Sequence, residues 1–166
     1  MRILGIDPGT LRMGYGLIDW GTDGGASAVA WGILTAKSRL SLGERLYSLY
    51  RDLLELMERY SPDEVAVEEP FVSSNARTAL AIGQAQGVSL MAAAACSVPA
   101  AGYSPLQVKQ AVAGYGGASK EQIQQAIQMR LALGDEQVPE DAADALGVAL
   151  CHLQAHRISE LVIHNP

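Results

Sequence analysis

The chain has 166 residues, 49% of them apolar and 18% charged, with no low-complexity tract. That is material for one domain with its own core, and it excludes a disordered or fibrous chain. The net charge of −6, taken alone, argues against a nucleic-acid binder, although carboxylates gathered around cations leave room for local basic patches.

Residues 3–6 are an apolar run closed by Asp7 and bounded by Pro8-Gly9, so the chain opens on a short buried strand that ends in a carboxylate. An unpaired buried charge is costly, so Asp7 needs a partner: a metal ion, a phosphate-binding turn or an arginine. Residues 13–20 alternate as a second strand, Asp23-Gly24-Gly25 makes a turn, and 28–34 form the third strand of an antiparallel meander. Ser41 and Glu44 make a capping box for a helix that carries Leu42, Leu46, Leu49, Leu53, Leu56 and Met57 on one face and ends near Tyr60-Ser61-Pro62. Residues 65–69 give another short buried strand, again ending in acids. After a loop at 71–74, Asn75 caps a helix over 76–95. The uncharged stretch 79–101 holds Gln84, Gln86, Ser89, two glycines and Pro99, and reads as a buried helix, not a membrane span.

A strand over 99–103 follows, then a brief helix opened by Ser104-Pro105 and running through 112. A glycine-rich loop at 114–117 leads to a helix capped by Ser119 and Gln122 that fades at Gly134. Pro139 opens the last helix, to about His156, and the tail to Pro166 carries no strong pattern. A meander joined to crossover strands predicts a mixed five-stranded sheet with helices on its faces, in one domain over 1–166. Cys96 and Cys151 read as buried thiols, His152, His156 and His164 as surface or packing residues. The start of the chain has no signal-peptide layout, so a cytoplasmic protein is expected.

If the strands that end in Asp7 and in Glu68-Glu69 are parallel neighbours, their carboxylates leave the same edge of the sheet, where open α/β folds build their sites. Side chains alternate, so one of Glu68 and Glu69 faces Asp7; the pattern does not choose between them. Asp141 and Asp144 stand three apart on one face of the last helix, with alanines around them. Four carboxylates on one point stay ionised together when cations sit between them. Oxygen donors favour Mg²⁺ or Mn²⁺, and two such ions about 4 Å apart suit phosphodiester hydrolysis.

In chain order, Gly5-Ile6-Asp7-Pro8-Gly9-Thr10, Gly14-Tyr15-Gly16, Val67-Glu68, Phe71, Asn75, Ala79-Leu80, Gly83-Gln84-Ala85, Gly87, Gln107-Val108-Lys109-Gln110 and Asp141-Ala142-Ala143-Asp144-Ala145-Leu146 resemble the RuvC crossover-junction endodeoxyribonucleases. The resemblance implies a ribonuclease-H-like α/β fold, a homodimer, and paired symmetric Mg²⁺-dependent nicks in four-way (Holliday) DNA junctions, in company with the RuvA and RuvB branch-migration proteins. It implies Asp7, Glu68, Asp141 and Asp144 as catalytic metal ligands, choosing Glu68 over Glu69, although some members carry His where this chain has Asp141. It further implies Lys109 and Lys120 as lysines at the scissile phosphate and Phe71 as an aromatic that stacks on junction bases. Arg12 and Arg77, near the first turn and the start of the long helix, are additional candidates for phosphate contacts. That helix is apolar on nearly all sides with Gly83 and Gly87 four apart, as a helix covered by a second subunit would be.

Three other readings compete. Ile6-Asp7-Pro8-Gly9-Thr10 also resembles the first phosphate loop of sugar-kinase and actin-like ATPases, but those need two related domains and a second loop. A non-catalytic binding module would not need all four acids. A ribonuclease-H-like nuclease acting on another nucleic acid, such as an RNA–DNA hybrid, keeps the same site.

Overall fold

The computed structural model describes residues 1–21, 24–70 and 76–163. The expected Asp23 turn, the loop with Phe71, the Asn75 cap and His164 lie outside those residues. Three strands, β1 (Arg2–Asp7), β2 (Arg12–Trp20) and β3 (Ala26–Thr35), form the antiparallel meander. The helix α1 (Leu42–Tyr60) leads to β4 (Glu64–Glu68), and α2 (Ala76–Ala95) leads to β5 (Ala100–Tyr103). β4 lies parallel to β1 and β5 parallel to β4, giving the order β3-β2-β1-β4-β5. Three helices close the chain: α3 (Pro105–Ala113), α4 (Lys120–Arg130) and α5 (Glu140–Ile163).

The sheet separates two apolar layers. Leu4, Ile6, Val65 and Val67 face α1 and α2, where Leu49, Leu53, Leu56 and Met57 cover them. Ile3 and Ala66 face the other way, onto α5, with α3 and α4 outside it. The centre of the second layer is thin because small residues meet there. A Cβ on Gly5 would lie 2.0 Å from the carbonyl oxygen of Ala145, and one on Gly14 would lie 1.9 Å from that of Asp141. The backbone of α5 thus rests on the middle of the sheet, and its first turn is pinned to β2 at Gly14.

Local signals are realised closely. Ser41, Ser104 and Ser119 each cap a helix in a complete capping box, and α1 stops at Ser61 in the left-handed region. Two helix ends differ from expectation. α4 stops at Arg130, four residues before Gly134, because Leu131 and Leu133 turn back into the core and Ala132 adopts a positive φ. α5 runs to Ile163, past His156, since no proline or glycine interrupts 157–163. α2 is not covered all round: Ala85, Ser89, Ala92 and Ala93 are buried, while Leu80 and Met91 are 65% and 63% exposed. Among the described residues no helix is long and apolar enough to cross a membrane.

Candidate active site

β1 and β4 pair in register through Ile6 and Val67, so the next residues, Asp7 and Glu68, emerge side by side at the ends of parallel neighbours. Alternation puts both on the face toward α5, with Ile3 and Ala66. Glu69 points to the other face, against Gly102 of β5. The register therefore resolves the choice that the pattern left open. Because α5 starts where β1 and β4 end, Asp141 in its first turn and Asp144 at the start of its second face the same cleft.

The carboxylates do not close into a ligand cage. Among the described residues no three His, Cys, Asp or Glu side chains are gathered tightly enough to hold an ion as they stand. Mutual repulsion explains this, and so do three internal compensations. First, Asp7 and Glu68 form a hydrogen-bonded pair in which protonated Asp7 donates. Burial, with Glu68, Asp144 and Asp141 nearby, pushes the Asp7 carboxyl up to about 8. Burial raises Glu68 too, against the hydrogen bond from Asp7 and the charges of Lys120 and Lys109. Second, the Lys120 ammonium pairs with Glu140 and lies 3.5 Å from Asp144. Burial raises Asp144, and this lysine opposes that. The hydrogen bond to Glu140 raises Lys120 in turn. Third, Arg12 Nε donates to Asp141 Oδ2 at 2.8 Å.

This cleft matches the metal chemistry expected of it in donor type: four oxygen-bearing acids on rigid elements, two of them at strand ends and two on a helix. Asp7, Glu68, Asp144 and Asp141 are the groups that would hold an ion, once the Asp7 proton is lost and the two cations turn away. Beside them opens a pocket of about 230 Å³ lined by Glu68, Lys109, Lys120 and Asp144, with Pro105, Val108, Ile123 and Gly147 as an apolar wall. Lys109 of α3 and Lys120 of α4 are thus both exposed on the rim of the carboxylate cleft.

Of the remaining candidates, Arg12 is at the cleft and Arg77 is exposed in the first turn of α2. Phe71 falls outside the described residues. Sequence reasoning missed Glu140 as the partner of Lys120 and Arg12 as the partner of Asp141; the latter pair is 129 residues apart in the chain and no local pattern signals it. It also missed a second polar set. His152 is buried on α5, bonded through Nδ1 to the Tyr103 hydroxyl at 2.8 Å and through Nε2 to Glu64. Glu64 begins β4 and Glu68 ends it on the same face, so this set ties the far end of the strand to α5, away from the cleft.

The model of the family described as "Crossover junction endodeoxyribonuclease RuvC" matches residues 3–152. A relative from Syntrophomonas wolfei, named crossover junction endodeoxyribonuclease RuvC, is 48% identical over 162 residues, covering 98% of this chain and 94% of its own. The chain belongs to the RuvC family. The solved structure of Thermus thermophilus RuvC in complex with a Holliday junction substrate is 34% identical, with a TM-score of 0.88 and 96% of each chain covered. The yeast mitochondrial Holliday junction resolvase Ydc2, at 16% identity and a TM-score of 0.63 over 94% of this chain and 83% of that one, shares the fold. The five-stranded sheet with its flanking helices is thus the ribonuclease-H-like fold that RuvC proteins have, as the sequence resemblance implied.

Proposed function

We propose that this RuvC-family chain resolves four-way DNA junctions by paired, symmetric, divalent-metal-dependent nicks in recombination and repair. The observation that supports this most is the placement of Asp7 and Glu68 side by side at adjacent strand ends, with Asp141 and Asp144 on the helix across the cleft. In this reading the whole chain is one cytoplasmic nuclease domain.

Two Mg²⁺ ions, or Mn²⁺, supply an activated water and stabilise the leaving oxygen when bound. The chain's own groups do the rest. Asp7, Glu68, Asp141 and Asp144 offer the oxygen ligands, and the buried position of Asp7 makes its deprotonation and cation binding one linked event. Lys109 and Lys120 present positive charge to the scissile phosphate, where charge grows in the transition state. Phe71 stacks on a junction base, and Arg12 and Arg77 hold flanking phosphates. A homodimer through the exposed apolar face of α2 presents two such clefts to a two-fold symmetric junction. In this reading the branch-migration proteins RuvA and RuvB are its partners.

The test is end-labelled cleavage of a mobile four-way junction, its linear duplex and an RNA–DNA hybrid, with Mg²⁺ or EDTA. Symmetric nicks in the junction, absent with EDTA, are the expected result. Preferential cutting of the hybrid would move the activity to another nucleic acid.

A further inference from the structure

The even-numbered residues of β2 face α5. Gly16 and Gly14 leave room for the helix, and the backbones touch at Gly14 and Asp141. Arg12 is the next residue outward on that face, beyond the point where α5 begins. Its side chain therefore crosses the mouth of the cleft, and its distance from Asp141 is set by packing of strand on helix. The Arg12 side chain is 60% exposed, while that of Asp141 is 28% exposed. An ion pair this open to water is weak and exchanges readily.

We propose that Arg12 is a phosphate-contacting residue held in reserve, paired with Asp141 until that carboxylate takes up a divalent ion and then released to the junction backbone. The proposal rests on the reading of Asp141 as a metal ligand. A divalent ion on Asp141 repels a guanidinium at hydrogen-bond distance, whereas a phosphate at the mouth offers the planar fork two oxygens in place of the single Asp141 oxygen that Nε contacts. Ion loading and DNA binding then favour each other, and the coupling is reciprocal.

A four-way junction titrated in EDTA at several salt concentrations tests this without turnover. Asp141→Asn steepens the wild-type salt dependence by about 0.9, the value of one added phosphate contact, because it frees Arg12 without an ion. In the Arg12→Gln background Asp141→Asn leaves that slope unchanged, and Arg12→Lys restores the change. A steepening that is equal in both backgrounds, or absent from both, overturns the proposal. Mn²⁺ titrated into the DNA-free protein gives a second readout: Arg12→Gln binds it several-fold tighter than wild type, and equal binding is the contrary result. Melting temperatures establish that each variant is folded. Junction cleavage by the wild type, run in parallel, reports separately on the nuclease reading.

Discussion

Asp7 carries a proton at neutral pH in the metal-free protein, because burial and three neighbouring acids all oppose its charge and hold its pKa at about 8. Between about pH 4 and about pH 8 the folded protein therefore binds a proton that the unfolded chain has released, and stability falls as pH rises through that window. Asp7→Asn removes the titrating group. In EDTA at pH 8 its Tm should exceed that of the wild type by roughly ten degrees or more, the shift that about 5 kcal/mol, the linkage integrated over this window, makes in a domain of this size. At pH 4 the two should coincide, and the variant's profile between these limits should be flatter. The same substitution should lower junction cleavage by a factor on the order of 10³ while leaving junction affinity within a few-fold, since on the proposed reading it removes a ligand charge and not the DNA-contacting surface. Parallel loss of binding would give Asp7 a structural role.

The elements are held at the cleft by close backbone approach. A side chain on Gly14 would meet the Asp141 carbonyl, and neither β2 nor the first turn of α5 can retreat without opening the core. Gly14→Ala should cost about 3 kcal/mol in chemical denaturation and should weaken cleavage more than Gly43→Ala, where nothing lies within 4 Å of the added methyl. Such contacts also mark the limit of what the sequence discloses. Capping boxes at Ser41, Ser104 and Ser119 and the bounds of α2 are readable because each depends on residues a few positions apart. Three features depend on register or packing between distant segments, which no local pattern encodes: Glu68 facing the cleft, Arg12 against Asp141, and Lys120 against Glu140. The end of α4 escaped for a related reason, since the turn of Leu131 and Leu133 into the core is decided by α5 beneath them.

Over the whole molecule, the apolar composition of α2 and its one-sided burial are at odds for an isolated subunit. Leu80 and Met91 stand exposed about three turns apart on a helix without a charge beyond Arg77. A symmetric pairing of two copies through this face would cover them, so Met91→Glu should shift the protein from dimer to monomer in sedimentation equilibrium while costing the subunit's own fold no more than about 1 kcal/mol. A wild type that is monomeric at all concentrations would remove α2 as the dimer face. Two clefts on one dimer should also leave a signature in the products. A supercoiled plasmid that extrudes a cruciform becomes linear when both strands of one junction are cut in a single encounter, and becomes a nicked circle when one strand is cut. With Mg²⁺ the linear form should appear as the main early product, and none should form in EDTA. Accumulation of nicked circles without linear product, or cutting that persists in EDTA, would contradict a paired, metal-dependent four-carboxylate nuclease.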